Sequence, residues 1–527
     1  MDIELNKESD DYYCDYKGKK ADPTKHGGIR AAILTCVVEV MSSMVFLCNS
    51  INLVDYFLKY MHYSVSESST MVTNFMGSSY ILTIVGGFIC DSYLTRFTTF
   101  ILSGAIELMG FILLAYQAQH SHLRPPENTR PSPVAAAILH IGLYCVAIGV
   151  AGVKAALQTH GADQVDDKKQ KNLISSFFNW YFFSICSGAL LASTIMVWIE
   201  ENCGWSLSFM ICAIVFTFAI CIFVAGFPIY RNKRPAGSPL TRMIKVFVAA
   251  AKNTRASPSV NVNHNATTQP HAREQSHDKL KFLNKALIDA AIDVTMVDET
   301  KSFLSLLPIF ATTIMMNCCM AQLLTFSVQQ GNIMNRKIHN FIIPTQSLSV
   351  FALAIILSFI PIFEQFRHIY RHKDTMQSKT FQPLSRVGFG LVLGIMSMAV
   401  AAIVEAKRKQ ELIMNDITIS VFWLVLQYIL VSVADTLVMS GMLEFFYSEA
   451  HESMRSMCAA LSWCSSAMGF FISSVLVAIT NSASGKFGKE WLGGKDLNHD
   501  RLDLFYALIC ILNIVNFMFY VYFAKKY

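Results

Sequence analysis

The chain has 527 residues, of which 53% are hydrophobic and only 15% carry a charged side chain. Soluble domains contain about 25% charged residues, so this composition and a mean hydropathy of +0.41 exclude a soluble protein and indicate a polytopic membrane protein. The net charge of +6 is small and no long run of lysine and arginine occurs, which argues against nucleic-acid binding.

Twelve stretches of the chain are apolar over about 20 residues, the length that a helix needs to cross a bilayer. In chain order they are predicted at 31–58, 69–90, 97–118, 133–156, 172–199, 206–229, 302–328, 341–363, 387–405, 417–441, 456–480 and 503–524. The stretch between the sixth and the seventh is polar and basic. Its low-complexity patch at 257–277 is expected to be disordered, and its flanks are expected to form amphipathic helices.

The sequence therefore predicts an all-α polytopic membrane protein of twelve transmembrane helices in two six-helix bundles. The expected parts are an N-terminal tail at 1–28, a first bundle at 29–229, a linker at 230–300 and a second bundle with a short tail at 301–527. Many secondary transporters share this plan, with their binding site at the midplane between the halves.

Lysine and arginine concentrate in the cytosolic loops of membrane proteins. With the N-terminus in the cytosol, the basic linker falls inside together with Lys168, Lys169, Lys171, Arg367, Arg371, Lys373, Lys525 and Lys526. The loop at Glu200 and Glu201 falls outside. Lys407, Arg408 and Lys409 also fall outside, although lysine and arginine are expected mainly in cytosolic loops. Both termini and the linker are expected in the cytosol, and no cleavable signal peptide precedes the first span.

The sequence contains no pattern that is typical of an enzyme active site. Most of the 14 cysteines lie inside apolar runs, no spacing typical of metal ligands occurs, and no arrangement of nucleophile and base stands out. We expect no enzymatic activity, no metal and no cofactor.

Ionisable residues inside spans are costly, which makes each one a candidate functional residue. Glu39 lies in the middle of the first span, Lys154 near the end of the fourth, and Asp435 and Glu444 in and just after the tenth. We expect Glu39 and Lys154 to pair and to link protonation to conformation. The alternatives are a static pair, a lysine that reaches the interface, and a carboxylate at the cytosolic end of span ten.

The stretch GGFICDSYLTRF, residues 86–97, places Asp91 and Arg96 in a very short cytosolic turn. Charges at this position are expected to close an inner gate through hydrogen bonds to neighbouring helix ends. A simple topology signal is the alternative interpretation.

Several stretches resemble one known family, in the order in which that family carries them. They are GGFICDSYLTRF, GVAGVKAALQTHGADQVDD and FFNWYFFSICSG in the first half, and LEFFYSEAHESMRSM and EWLGGKDLNHDRLDLFYALI in the second. The chain resembles the plant nitrate and peptide transporter family (NPF) over residues 25–525. This is the plant branch of the proton-coupled oligopeptide transporters within the major facilitator superfamily. The resemblance implies proton-coupled uptake by alternating access and a plasma-membrane location.

The resemblance also implies roles for individual residues. Glu39 matches the first glutamate of the proton-coupling motif on helix one, whereas Ser42 and Ser43 stand where the family has a second glutamate and a basic residue. Lys154 matches the helix-four lysine that pairs with these carboxylates. Glu444 matches a helix-ten glutamate that faces the cavity. Proton coupling would then depend on Glu39 and Lys154 alone.

The substrate is expected to be an organic acid. Met320 stands where nitrate-binding members have a histidine, and a thioether offers no cation to an inorganic anion. The first helix resembles the branch that includes abscisic acid and gibberellin transporters. In this interpretation Lys154 binds the carboxylate of a plant hormone, Met320 and aromatic residues contact its rings, and Gln322 and Glu444 also line the site. The expected partners are this small molecule, protons and the bilayer.

Two alternatives stay open at this point. The protein could be a proton symporter for nitrate or for di- and tripeptides. It could also be a sensor that binds a ligand but transports it weakly, because Ser42 and Ser43 replace charged residues of the coupling motif.

Overall fold

The computed structural model describes residues 13–527 except for 23–24, 64, 127–128, 130, 166–170, 236, 254–277, 290, 339–340, 343–347, 371–381, 487–490, 493–497 and 499. The predicted disordered patch of the linker lies outside the described residues. So do the basic loop residues Lys168, Lys169, Arg371 and Lys373.

Twelve helices within the described ranges are long and apolar enough to cross a membrane, which confirms the predicted number. We number them as spans 1–12. The first half contains Gly28–Asp55 extended by Tyr56–Tyr60, Val65–Ile81 with Thr83–Ser92, Arg96–Gln119, Pro133–Val165, Lys171–Leu191 extended by Ala192–Met196 and Val197–Asn202, and Trp205–Ala225. The second half contains Val294–Leu324 with Phe326–Asn332, Leu348–Tyr370, Pro383–Asn415, Val421–Leu424 with Val425–Ser448, Glu452–Met454 with Arg455–Ala459 and Leu461–Gly485, and Leu502–Lys526.

Spans 4 and 8 differ from their predicted bounds for identifiable reasons, and spans 7 and 9 also extend beyond theirs, to Val294 and Asn415 respectively. Span 4 continues to Val165, beyond the predicted end at 156, because polar residues such as Gln158, Thr159 and Asp163 are buried against other helices there. Span 8 begins only at Leu348, because the apolar residues Phe341–Ile342 form a short strand instead.

Short strands and turns complete the fold. Tyr13–Cys14 pairs antiparallel with Asn232–Lys233, and Lys337–Ile338 pairs with Phe341–Ile342. Single turns of 3-10 helix lie at Ser121–Leu123 and Phe227–Ile229.

Both ends of the described chain lie at the same end of the molecule as the linker. The strand Tyr13–Cys14 pairs with the start of the linker, and the backbone N–H of Gly27 donates to the carbonyl of Ile229 at 2.7 Å. The hydroxyl of Tyr527 lies 3.3 Å from Oε2 of Glu449, in the turn between spans 10 and 11. We call this side of the molecule the linker end.

The linker itself contains a helix at Pro239–Lys252 and a 3-10 segment at Asp278–Ile288. Proline at the first helical position and Ser238 as the N-cap, whose hydroxyl accepts from the N–H of Thr241, start the helix. Its buried face includes Val246 and Ala250 and packs against Leu283, so the linker adds a small apolar core of its own at this end.

The two halves share one kind of close helix–helix contact, in which a glycine of one span lies against the backbone of the next span. In the first half Gly110 of span 3 lies so close to span 4 that an added Cβ would be 2.8 Å from the carbonyl oxygen of Gly142. In the second half an added Cβ on Gly390 of span 9 would be 2.8 Å from the carbonyl oxygen of Ala434 in span 10. Small residues at both crossings let the helix backbones approach closely, as in other membrane proteins.

Large apolar side chains remain exposed on the outer faces of the spans, for example Ile112, Ile214 and Phe218. In a chain of twelve apolar helices these faces are the surface that contacts lipid.

The three basic residues that break the topology rule each have a local partner at the end opposite the linker. Nε and Nη2 of Arg408 donate to the carboxylate of Glu405 at 2.8 and 2.7 Å. Nζ of Lys409 lies 3.5 Å from Asp503, and the ammonium of Lys407 lies 3.9 Å from the Trp423 ring centroid. Their charges stabilise the fold locally, which explains why they occur on the side where the rule expects few of them.

The orientation of the chain can be tested at Cys203, which is exposed in the loop between spans 5 and 6, at the end opposite the linker. We expect a membrane-impermeant maleimide to label Cys203 from outside intact cells, because the linker end is expected to face the cytosol. Cys203→Ser is the control that removes the signal. Labelling that needs permeabilised cells would reverse the assigned orientation.

Candidate functional site

Glu39 of span 1 is fully buried, yet its carboxylate is well satisfied. The hydroxyl of Ser43, one turn further along the same helix, donates to Oε1 at 2.5 Å. The hydroxyl of Tyr181 in span 5 donates to Oε2 at 2.6 Å. Two hydroxyl donors stabilise a carboxylate in an apolar surrounding. Ser43, which replaces a basic residue of the family motif, therefore supplies a neutral hydrogen bond in place of a charge.

Lys154 of span 4 is the cation nearest to this carboxylate. Its Nζ lies 3.7 Å from Oε1 of Glu39, which is ion-pair distance but longer than a normal hydrogen bond. Its ammonium also lies over the indole of Trp463, 4.1 Å from the ring centroid, and 5.5 Å from the ring of Phe46. Because Trp463 belongs to span 11, this cation–π contact joins the two halves of the molecule.

Aromatic rings extend the site from Trp463 into the first half. Tyr80 stacks on Trp463 with ring centroids 5.5 Å apart, and Phe46 contacts both Tyr80 and Phe75. Nε1 of Trp463 donates to Oε1 of Gln158 at 2.9 Å, which fixes the indole against span 4. The arrangement is one buried ammonium beside a wall of flat apolar surface.

At the linker end, Asp91 and Arg96 both lie in the contact between the halves. The carboxylate of Asp91 accepts from the backbone N–H groups of Ser456 and Met457, at 3.3 and 2.9 Å. These are the first N–H groups of the helix Arg455–Ala459, where a negative charge is favoured. Nε of Arg96 donates to the hydroxyl of Ser456 at 2.9 Å.

Arg96 is also tied to its own half by an ion pair with Asp163 of span 4. The other oxygen of Asp163 accepts from the hydroxyl of Tyr447 in span 10, at 2.6 Å. The side chain of Arg455 covers the Tyr447 ring at 4.7 Å. These contacts form one buried network across the linker end, which we call the linker-end gate.

The linker adds a contact to this gate. Nζ of Lys233 donates to the backbone carbonyl of Glu452 at 2.9 Å and lies 3.8 Å from its carboxylate. Burial, with the nearby charges of Arg96 and Arg455, lowers the pKa of Lys233 to about 7. This lysine therefore titrates near neutral pH, and its full positive charge is present only below that range.

Glu444 lies in a second contact between the halves. Its Oε2 accepts from the hydroxyl of Ser175 in span 5 at 2.6 Å and forms an ion pair with Arg386 of span 9. Nη1 of Arg386 donates to Oδ1 of Asn179, also in span 5, at 3.0 Å. The structure thus places the Glu444 carboxylate at a contact between spans 5, 9 and 10.

Met320 and Gln322 lie in span 7, on the far side of the site from the gate. Nε2 of Gln322 donates to the hydroxyl of Ser473 in span 11 at 2.7 Å, while its Oε1 has no partner among the described residues. Ser473 is ten residues beyond Trp463 along one helix, which is about 15 Å. Met320 is partly buried against the core.

Two residues of the site, Tyr181 and Trp463, were not predicted from the sequence, whereas Asp435 was named there as an ionisable residue inside span 10. Tyr181 and Trp463 are aromatic residues of apolar helices, and only the packing of spans 5 and 11 against the pair identifies them. Asp435 stands out as an acid inside span 10, but its position relative to the other site residues could not be predicted from the sequence. It has no hydrogen bond or ion pair within the described chain, and it interacts electrostatically with Tyr80 and Cys186 of the first half.

Two six-helix halves, a network of buried ion pairs between them at one end and a buried carboxylate–ammonium pair in the first half are consistent with the plan of a secondary transporter. The sequence matches the family described as "POT family" over residues 97–492. The chain belongs to this transporter family and is an integral membrane protein.

Its relatives include plant proteins of similar length. The chain is 52% identical over 526 residues to Protein NRT1/PTR family 4.1 of Arabidopsis thaliana, covering 99% of each chain. It is 49% identical over 524 residues to family 4.2 of the same plant, covering 99% of this chain and 100% of the relative. The chain is thus of the NRT1/PTR type, as the resemblance implied.

Solved structures share the fold. The POT family transporter PepTSo superposes with a TM-score of 0.64 at 18% identity, over 94% of this chain and 98% of that one. A POT family transporter in complex with 5-aminolevulinic acid superposes with a TM-score of 0.63 at 13% identity, over 96% of this chain and 99% of that one. The predicted two-bundle fold is confirmed.

The linker-end gate can be tested by Arg96→Gln. Breaking a buried ion pair by removing one partner costs about 3–5 kcal/mol, so we expect the gate to open more often. The buried thiols of Cys90 and Cys458 lie in this region. Their labelling by a maleimide in permeabilised cells is expected to become more than about tenfold faster than in wild type.

The matched control for this test is Arg501→Gln, which removes an arginine whose side chain is 52% exposed. It lies near the start of span 12, at the end opposite the linker, and is expected to leave the labelling rate unchanged. Equal labelling rates in Arg96→Gln and wild type would show that Arg96 does not hold the gate closed.

Proposed function

We propose that the protein transports a small organic acid together with protons by alternating access, and that its substrate is a carboxylic-acid plant hormone such as abscisic acid or a gibberellin. This proposal rests on the surroundings of the Lys154 side chain. Its ammonium is buried, 3.7 Å from a carboxylate that already accepts two hydroxyl hydrogen bonds, and it lies against an aromatic wall. Lys154 is therefore a cation that can exchange the carboxylate of Glu39 for the carboxylate of a substrate.

Electrostatics links the proton to the substrate. A buried ammonium needs a negative partner, because an unpaired ion in an apolar interior is unfavourable by several kcal/mol, roughly. When Glu39 takes up a proton, Lys154 loses its partner and the carboxylate of a substrate can replace it. Substrate binding and proton uptake then favour each other, which is the requirement for symport.

The aromatic wall supports an amphipathic acid over a small inorganic anion. Phe46, Tyr80 and Trp463 offer flat apolar surface beside the ammonium, which suits a ring system that ends in one carboxylate. One solved POT transporter is described in complex with 5-aminolevulinic acid, a small carboxylic acid. That protein is a distant relative, but its ligand belongs to the same chemical class.

The second half is proposed to contribute Asp435, Met320 and Gln322 to substrate binding. Asp435 has no hydrogen bond or ion pair within the described chain, and it interacts electrostatically with Tyr80, one of the aromatic residues beside Lys154. The Oε1 atom of Gln322 has no hydrogen-bond partner in the part of the chain that the structure describes. Glu444, predicted as a binding residue, holds Arg386 and Ser175 in this state, so its contact with substrate would require that this ion pair opens.

Asp91 and Arg96 are proposed as gating residues. Their contacts with the start of span 11 hold the linker end closed. Transport requires these contacts to break and form once in each cycle. We further propose that this end faces the cytosol, with both termini, and that the protein resides in the plasma membrane.

Nitrate and peptide transport remain as alternatives that competition experiments can separate. Di- and tripeptides have two charged termini, and Asp435 could take the amino terminus while Lys154 takes the carboxylate. A sensor that transports weakly is the other alternative. It is favoured by the neutral hydrogen bond of Ser43 to Glu39, which replaces a charge of the coupling motif.

We expect Lys154→Ala to abolish uptake of labelled abscisic acid or gibberellin at normal surface expression, because the substrate carboxylate loses its cation. Uptake is measured in oocytes or yeast, above the passive entry of these weak acids into control cells. Lys154→Arg keeps the charge and is expected to retain part of the activity. Uptake by Lys154→Ala equal to wild type would exclude this role.

Glu39→Gln tests proton coupling separately. Wild-type uptake is expected to be larger at an external pH of about 5.5 than at about 7.5, because protonation of Glu39 releases Lys154 for the substrate. The glutamine variant mimics the protonated carboxyl group, so we expect it to lose this pH dependence. Uptake that varies with pH equally in both proteins would leave Glu39 a structural residue.

Uptake of nitrate or a dipeptide instead of the hormones would overturn the proposed substrate.

A further inference from the structure

A third carboxyl group lies beside the Glu39–Lys154 pair. Glu107, in the middle of span 3, is fully buried, and neither of its carboxylate oxygens has a hydrogen-bond partner among the described residues. An ionised carboxylate in such a position is strongly unfavourable. Sequence reasoning did not single out this residue, although it interrupts the apolar run of its helix.

The position of Glu107 is set by close contact with span 4. A Cβ added to Gly149 would lie 2.4 Å from Cβ of Glu107, so only glycine leaves room for this acid. Lys154 follows five residues later on the same helix, about 7.5 Å along its axis. Lys154 and Glu39 are the charged groups that act on the Glu107 carboxyl group within the described chain.

The two acids around Lys154 are therefore unequal. Glu39 accepts hydrogen bonds from Ser43 and Tyr181 and has the ammonium at ion-pair distance. Glu107 has none of these contacts. In the state described, these contacts stabilise the ionised carboxylate of Glu39. Without such contacts, the protonated form of Glu107 is the more favourable one.

We propose that Glu107 carries a proton in the transport cycle and serves as the counter-ion of Lys154 after the substrate has left. In the family motif the second carboxylate lies on helix one, where this chain has Ser42; here span 3 supplies it. This inference rests on the proposed proton-coupled transport and names a residue through which the proton leaves.

The protons and charges balance over the cycle. With Glu39 protonated, the substrate carboxylate is the anion beside Lys154. When the substrate dissociates, the O–H bond of Glu107 breaks, its proton passes to water on the side of release, and the Glu107 carboxylate neutralises the ammonium. The proton on Glu39 then transfers to Glu107, directly or through water, and the resting pair is restored. One proton crosses with each substrate molecule.

Glu107→Gln keeps the shape of the side chain but cannot release a proton. Exchange of labelled abscisic acid against unlabelled acid does not need the substrate-free return step, so this variant should retain exchange within about twofold of wild type. Net accumulation driven by a proton gradient needs the return step and is expected to fall more than about tenfold. Glu107→Asp, which keeps a titratable group, should recover part of the accumulation.

A measurement without substrate separates this proposal from the proposed function. Infrared spectra of the purified wild-type protein at neutral pH are expected to show a carboxylic-acid carbonyl band that Glu107→Gln lacks. Glu39→Gln should lose this band as well, because Glu107 then ionises as the counter-ion of Lys154. Absence of this band, or wild-type accumulation by Glu107→Gln, would overturn the role of Glu107. A band that depends on Glu107 in a protein that does not accumulate organic acids would instead overturn the proposed function.

Discussion

The arrangement of this transporter depends on the need of one buried cation for a negative partner. Lys154 lies in the apolar interior, and its nearest carboxylate, Glu39, is at 3.7 Å and already holds two hydroxyl donors. A buried ammonium without an anion is unfavourable, whereas one with a replaceable anion can respond to its surroundings. Protonation, substrate binding and helix movement can therefore be linked through the choice of partner for a single side chain.

The same lysine connects this chemistry to the two halves of the molecule. Trp463 of span 11 covers the ammonium, and span 11 begins at the linker-end gate, where Asp91 binds its first N–H groups and Arg96 binds Ser456. A change of partner at Lys154 would therefore act on the helix whose start makes these contacts with Asp91 and Arg96. The contact between spans 5, 9 and 10 at Glu444 is a second closure of the same kind, held by Arg386.

Much of this could be predicted from the sequence, because apolar length and buried charge are visible in it. The twelve spans follow from hydropathy, and Glu39 and Lys154 stand out as ions in apolar helices. The rest depends on packing between helices far apart in the chain. The depths of Asp435 and Glu444 on one helix, the indole over Lys154 and the hydroxyl of Tyr181 cannot be derived from periodicity. Ser43, interpreted as a lost charge, turns out to donate a hydrogen bond to Glu39, and Glu107 was hidden in an otherwise apolar span.

The most direct test of the account is whether substrate binding takes up protons. Purified protein in weak buffer with a pH-sensitive dye can be titrated with abscisic acid at a pH near neutral, for wild type and for the double variant Glu39→Gln, Glu107→Gln. If protonation of a carboxyl group frees Lys154 for the substrate carboxylate, the wild type should take up about one proton for each molecule bound, and the double variant, in which neither carboxyl group remains, should bind the acid without proton uptake. Binding to the wild type without proton uptake, or equal uptake by both proteins, would contradict the account.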